Sequence, residues 1–410
     1  MQSVEEARRL LLAAVKPLEA EEVRLEEAAG RMLARPVVAR FDLPAFSNSS
    51  MDGFALRAAD IAGASEAAPA WLPVVADIPA GSGSAPEVAA GQAARIMTGA
   101  PLPPGADTVV PVEKTDFGDR LSGTAAPDAV RVFAPVDTGG YVRRRGEDVA
   151  AGEVLLEPGV RLRPQDVGMA AMTGAAVVAV HRRPKAAILS TGDELLLPGD
   201  PPGPGKIYES NSLTISALVA GTGAEVVRLG IARDSAEDIR RKLEAAADLG
   251  VDLIISSAGV SVGAYDYVKD VVEEHGRLDF WRVNMRPGKP LAFGAYRDIL
   301  FVGLPGNPVS AFVGFEVFLR PVLAKMAGWT AWERETYTGR MEGSLDSDGR
   351  ESYLRARALR DSEGWRLSLT GHQGSGNQFS LVQSNAMAII PAGVTHLEAG
   401  EQIKFWRFSQ

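Results

Sequence analysis

The chain has 410 residues, 46% of them hydrophobic and 23% charged, with a formal net charge of -9 and no cysteine. That length exceeds one ordinary core and points to about two to four domains. The absence of cysteine excludes disulfides, thiolate nucleophiles, cysteine-held zinc, iron–sulfur clusters and persulfide sulfur transfer; the acidic balance argues against nucleic-acid binding, and no apolar run approaches the roughly 18 residues of a membrane span.

Ser3 and Glu6 form an S-x-x-E capping box ahead of Leu10, Leu11, Ala14, Val15 and Leu18, which predicts a helix over 3–18. The acidic start, Met1-Gln2-Ser3-Val4-Glu5-Glu6, is unlike a signal peptide, so the cytoplasm is the expected location. Pro36 limits a short second helix over 26–34. From 41 to 145 Pro and Gly recur every few residues, and runs at 71–76, 94–97, 108–112 and 130–134 read as strands of a β-rich domain. Residues 146–180 return to a mixed pattern.

Over 184–327 strands and helices alternate. Strands are expected at 186–190, 226–231, 252–257, 278–283, 291–294 and 299–302, and helices at 211–220, 234–249, 265–275 and 307–326. Asp234 is expected to cap the second of these helices with Glu237 completing the box, and Gly276 to stop the third. Such alternation predicts βαβ units and a parallel sheet covered on both faces. Over 336–408 short alternating runs at 353–359, 365–369, 386–390 and 402–408 read as a small antiparallel barrel or sandwich. The fold class is α/β plus β, in several domains.

Ligands of an open parallel sheet bind outside the C-terminal ends of its strands. Three polar, glycine-rich segments fall there: Ser190-Thr191-Gly192-Asp193-Glu194, Ser256-Ser257-Ala258-Gly259-Val260-Ser261-Val262-Gly263, and Gly303-Leu304-Pro305-Gly306-Asn307-Pro308-Val309-Ser310. Small residues let a backbone approach a ligand, and N–H groups at a helix start favour an anion. Any one such loop is, on its own, more often only a turn; several at one sheet edge point to a site. Asp193, Glu194 and Asp266 add carboxylates, each of which also reads as a cap or a solvated side chain. Arg282, Arg286 and Lys289 form a plausible oxyanion clamp or an ordinary charged surface. The histidines (His181, His275, His372, His396) are scattered, so a bound metal is expected to be a hard cation on carboxylates, with Mg²⁺ first.

The motifs become specific in combination. Met51-Asp52-Gly53-Phe54-Ala55, Ile96-Met97-Thr98-Gly99-Ala100-Pro101, Arg145-Gly146-Glu147-Asp148, Ser190-Thr191-Gly192-Asp193-Glu194-Leu195, Gly259-Val260-Ser261-Val262-Gly263, Arg286-Pro287-Gly288-Lys289-Pro290 and the 303–310 segment occur in one order. That order resembles the MoeA family of molybdopterin molybdotransferases, whose eukaryotic relatives include the gephyrin E domain, and the resemblance covers nearly the whole chain. It implies a homodimer of four-domain subunits. Domain I is split (1–40 and 146–180) around the β-rich domain II (41–145). Domain III (181–328) is a doubly wound α/β molybdopterin-binding domain, and domain IV (329–410) a C-terminal β-barrel. The family's cleft lies between domain III of one subunit and domain II of the other.

The resemblance implies that adenylated molybdopterin and molybdate give molybdenum cofactor and AMP, with Mg²⁺ as cofactor. The matching functional positions are Asp52, Thr98, Asp148, Glu194, Asp234, Asp266, Pro305, Pro308 and Ser375, with Asp52, Glu194 and Asp266 as metal candidates. Ser190, Thr191, Gly192, Asp193, Ser256, Gly259, Ser261, Gly263, Pro305, Gly306, Asn307, Pro308 and Ser375 are expected to hold pterin and phosphates, and Arg282, Arg286 and Lys289 the oxyanion. With no cysteine, both sulfur ligands of the metal must come from the pterin. Implied partners include the adenylyltransferase of the same pathway and apoenzymes that accept the cofactor; nucleic acid and membrane are not among them. Arg282 and Arg286 stand where bacterial members often carry lysine. Ala258 replaces the first glycine of a usual pair, which predicts no positive φ there, and Ala264 stands where an acid is common, which weakens that position as a metal ligand. The rival readings are the related adenylyltransferase, which shares the α/β domain but lacks the Asp52 and Thr98 segments, and a scaffold that binds a partner peptide.

Overall fold

The computed structural model describes residues 1–118, 124–258 and 267–408. Its contacts group into two units, one of residues 1–35, 158–163 and 177–410, the other of 36–157 and 164–176. Gly259, Ser261, Gly263 and Asp266, four of the expected site residues, lie outside the described residues.

The first unit opens with helix Val4–Ala13, whose N-cap Ser3 accepts the Glu6 N–H at 3.1 Å. The box is only half made, because the Glu6 carboxylate turns to Arg9 instead. Val4, Ala7 and Leu11 enter the same core as Phe318, Val322 and Met326.

The central sheet has six strands in the order Glu225–Ala232, Lys185–Thr191, Leu253–Ser257, Ile299–Leu304, Pro290–Tyr296, Gly276–Arg282. Alternation along Lys185–Thr191 sends Ala186 and Ile188 into one apolar cluster and Ala187 and Leu189 into another, so both faces are covered. The sheet is mixed, which corrects the expectation of a parallel one. The first four strands are parallel to one another, but Pro290–Tyr296 is antiparallel to both strands beside it. Only Arg297 (φ 53°) and Asp298 separate the paired residues Tyr296 and Ile299, whereas a parallel crossover needs about a dozen residues.

Three local expectations also change. Helix Ala236–Asp248 is capped by Ser235, whose hydroxyl accepts the Asp238 N–H at 3.3 Å; Asp234 is not its cap. Gly276 does not simply stop helix Tyr267–His275. It begins the next strand, and a Cβ there would lie 1.9 Å from the Ala295 carbonyl oxygen. The helix expected over 307–326 passes through a π-helical turn, Phe315–Leu319, between Pro308–Gly314 and Arg320–Met326. Pro321 has no N–H for the regular ladder, and widening the preceding turn accommodates it.

The C-terminal strands close into a barrel, not a sandwich. Glu351–Asp361 pairs with Gly364–Leu369 on one side and Ala386–Ile390 on the other, and Thr336–Met341 and Gln402–Arg407 complete the ring. All pairs are antiparallel except Thr336–Met341 with Gly364–Leu369. Closure removes exposed edges.

The second unit is built on a five-stranded sheet in the order Thr108–Pro111, Gly53–Leu56, Ala93–Ile96, Ala70–Ile78, Ala129–Val132. Phe54, Leu56, Leu72, Val110, Val130 and Val132 fill its core. Gly53 is required because a Cβ would sit 2.0 Å from the Val110 carbonyl oxygen. Helix Pro164–Met172 belongs to this unit, so the contact boundaries differ from the changes of sequence texture near 41 and 146.

Candidate active site

In the second unit, antiparallel pairing of Gly53 with Ile96 brings the residue before one strand to the turn after the other. Asp52 Oδ1 there accepts the Thr98 N–H at 2.8 Å and the Thr98 hydroxyl at 2.7 Å. Gly99, at φ 81°, turns the chain beyond Thr98. Asp148 is exposed, and its N–H donates to the Leu43 carbonyl at 2.9 Å.

In the first unit, the expected loops meet at the C-terminal edge of the sheet. Ser190 and Thr191 are the buried end of their strand, and the Gly192 N–H donates to the Ala232 carbonyl at 3.2 Å. Gly192 has φ 145°, and a Cβ on it would lie 2.4 Å from the Glu194 carboxylate. Glu194 is exposed, and Asp193 and Asp234 exchange backbone-to-carboxylate hydrogen bonds. Ser256 Oγ donates to the Ala258 carbonyl at 2.9 Å, while the Ala258 N–H reaches the Leu304 carbonyl at 3.0 Å. Ala258 has φ 86°, contrary to expectation. The tight passage from strand to loop imposes the left-handed conformation even without glycine.

The 303–310 loop is tied from both sides. Asn211 Nδ2 donates to the Gly306 carbonyl at 2.7 Å, and the Val309 N–H donates to the Ser375 carbonyl at 3.0 Å. Pro305 is buried, Asn307 is the N-cap and Pro308 the first residue of the helix. Ser375, far away in sequence, thus reaches the sheet edge from the barrel.

The cations divide. Arg282 and Lys289 are exposed, and their carbonyls accept from Gln2 and Val283. Arg286 lies on a short strand, Met285–Arg286, that pairs with Glu351 and Ser352 of the barrel. Its Nη1 is 3.9 Å from Asp348 Oδ2. Two further arginines, which sequence reasoning missed, join it. Arg350 bonds Asp348 Oδ2 through Nε at 3.0 Å and the Met285 carbonyl through Nη1 at 3.2 Å. Hydrogen bonding to Arg350 holds the Asp348 carboxyl below the usual range, and the charge of Arg286 adds to this. Arg355 is fully buried, with Nε on Ser380 Oγ at 3.0 Å, Nη2 on the Gly374 carbonyl at 3.1 Å and no partner for Nη1. Burial, and then the charge of Arg286, push it down to about 10. Its signal in the sequence is faint: it is one of three arginines in the strand Glu351–Asp361, and the other two, Arg357 and Arg360, are exposed. Glu209 was also missed. It is a buried carboxylate that holds Ser190 and Ser212, and it lies beyond the Pro- and Gly-rich loop that drew no functional reading.

The donor chemistry at this edge, carboxylate oxygens without sulfur or histidine, suits Mg²⁺. Yet among the described residues no three His, Asp or Glu side chains gather as a metal site. Glu194 is in the first unit, Asp52 in the second, and Asp266 outside the described residues.

A mixed α/β sheet with its ligand edge tied to a closed barrel, together with a β-rich unit, defines the class: a multidomain protein with a molybdopterin-binding domain. Residues 187–325 match the family model for a probable molybdopterin binding domain, 2–174 that for the MoeA N-terminal region (domain I and II), and 338–408 that for the MoeA C-terminal region (domain IV). The chain belongs to the MoeA family. It is 39% identical to molybdopterin molybdenumtransferase 2 of Mycobacterium tuberculosis, over 99% of each chain. It is 36% identical to the molybdopterin molybdenumtransferase of a Nostoc species, over 98% of this chain and 93% of that one. A solved molybdopterin biosynthesis MoeA protein from Pyrococcus horikoshii OT3 superposes with a TM-score of 0.79 at 31% identity, covering 100% of both chains.

Proposed function

We propose that this chain inserts molybdate into adenylated molybdopterin, releasing AMP and giving molybdenum cofactor. The observation that carries the reading is the junction of Val309 with Ser375, which ties the sheet-edge loops to a barrel region rich in arginine. Loops 190–194, 256–258 and 303–310 supply small residues and N–H groups for pterin and phosphates. Arg286, Arg350 and Arg355 supply a local positive field for a dianion on a chain of net charge -9. The match of 2–174 to the MoeA N-terminal region favours this reading over the adenylyltransferase. Incubation with adenylated molybdopterin and molybdate should release AMP and yield cofactor that activates a molybdenum-dependent apoenzyme. Failure of both overturns the reading.

Mg²⁺ dependence belongs to the same proposal. The family resemblance implies Asp52, Glu194 and Asp266 as ligands of the ion, and Asp148 and Asp234 as further residues of the chemistry. Bound there, it would neutralise charge on the phosphoanhydride. EDTA should abolish turnover and Mg²⁺ restore it; full turnover in metal-free buffer rejects the metal. A homodimer of four-domain subunits in the cytoplasm completes the reading, and sedimentation should give about twice the subunit mass.

A further inference from the structure

Ser190 and Ser257 stand opposite each other in the register of two parallel strands, and Glu209 lies against Ser190. Ser190 is fully buried, while Ser257 and Glu209 are each 3% exposed. A serine hydroxyl carries one proton. That of Ser190 goes to Glu209 Oε1 at 3.0 Å. Oε1 also accepts the Ser212 N–H at 2.6 Å, and Oε2 the Ser212 hydroxyl at 2.5 Å. Donors converge on this carboxylate, which therefore serves as acceptor. At the 3.2 Å contact between the two hydroxyls, Ser190 has no proton left to give, so Ser257 is the donor. The chain runs from Ser257 through Ser190 to Glu209, each bond polarising the next. With its proton directed inward, Ser257 has only lone pairs to offer at the strand end. A hydroxyl in that state favours an N–H donor and disfavours a phosphate oxygen, which is itself an acceptor.

We propose that Glu209 is a positioning residue that, through Ser190, fixes Ser257 as acceptor for a ring N–H or exocyclic amine of the pterin. It thereby places the pterin, and not a phosphate, at the junction of strands Lys185–Thr191 and Leu253–Ser257. The inference rests on adenylated molybdopterin being the substrate. Asn211, two residues beyond Glu209, holds the Gly306 carbonyl, so the segment that orients the hydroxyl chain also anchors the facing loop.

The test is a double-mutant cycle on the dissociation constant for adenylated molybdopterin, with molybdate half-saturation and melting temperature measured alongside. Ser257→Ala should weaken pterin binding about fivefold to tenfold, the worth of one hydrogen bond. Ser190→Ala should weaken it similarly, because the Ser257 proton is then free to face the ligand. The double variant should bind no worse than the weaker single one. Molybdate half-saturation should not move. Glu209→Leu should match Ser190→Ala, and E209Q should recover the lost affinity, since an amide oxygen still accepts from Ser190 while its NH₂ donates to Ser212. The serine cycle decides the matter even where Glu209→Leu fails to fold. Effects that multiply in the double variant, or an unchanged constant in Ser257→Ala, overturn the inference. A wild type that shows the coupling but releases no AMP overturns the activity instead and leaves the hydroxyl chain standing.

Discussion

Asp193 and Asp234 hold each other's backbones: the Asp193 N–H donates to Asp234 Oδ2 at 3.2 Å, and the Asp234 N–H donates to Asp193 Oδ1 at 3.4 Å. The pair joins the loop after one central strand to the loop after its neighbour. Asp234 therefore shapes the site, while the adjacent Ser235 caps the helix. Ser235→Ala should cost about 1 kcal/mol of stability with little change in substrate affinity. Asp234→Ala should do the reverse, leaving stability within about 0.5 kcal/mol and weakening pterin binding. Denaturant titration and a binding titration on both variants separate the roles. Equal losses of stability would return Asp234 to the role of a cap.

Ala258 is held at φ 86°, where a Cβ crowds the backbone. Left-handed conformation costs a non-glycine residue about 1–2 kcal/mol, and glycine gives back part of that through its freer unfolded chain. Ala258→Gly should therefore raise unfolding free energy by roughly 0.5–1 kcal/mol. A fall in stability would mean that the alanine methyl packs usefully.

These two residues show what the sequence discloses and what it withholds. The apolar runs at 186–190 and 252–257 announce central strands because burial on both faces demands unbroken hydrophobicity. The barrel strands announce themselves by alternation. Ala258 misleads because side-chain identity states a preference, whereas the turn geometry is imposed by strands packed on either side. Asp234 and Ser235 are both good caps, so composition alone cannot choose between them. Glu209 and Arg355 are hidden for another reason. A charge that becomes buried among its partners looks, in one dimension, like any solvated charge, and the partners Ser190 and Ser380 lie 19 and 25 residues away.

Glu316 sits in the π-helical turn with 2% side-chain exposure, bonded by Arg320 Nε at 2.6 Å and Arg334 Nε at 2.7 Å. Burial pushes its carboxyl up, but the two guanidinium bonds outweigh that and leave the net shift downward. A lowered folded pKa means that the stabilisation is present above the ordinary glutamate value and is lost as pH falls through the folded one. Glu316→Ala should lower unfolding free energy by about 3 kcal/mol, because it strands two partly buried cations. The deficit relative to wild type should shrink in acid. Chemical denaturation across pH 3–7 measures both; a deficit that grows on acidification contradicts the assignment.

Arg286 faces a competitor, and that gives the oxyanion assignment its sharpest test. Its Nη1 lies 3.9 Å from Asp348, and its side chain keeps 45% exposure, so it can turn to a small anion from solvent. Arg350 draws on the same carboxylate, and Arg355 is buried within reach of Arg286's charge. Removing one charged hydrogen bond costs about 1.5–3 kcal/mol, roughly tenfold or more in affinity. Arg286→Ala should accordingly raise the molybdate half-saturation by about that factor and shift the pterin dissociation constant much less. Asp348→Asn should act in the opposite sense. It withdraws a negative charge from the same patch and releases Arg286 and Arg350, so less molybdate should be needed. Both effects should weaken as salt rises, since exposed charges are screened over about 8–10 Å near physiological ionic strength. Arg286→Ala with unchanged molybdate half-saturation, or Asp348→Asn with a raised one, would move the oxyanion away from this arginine cluster and leave the pterin loops as they are.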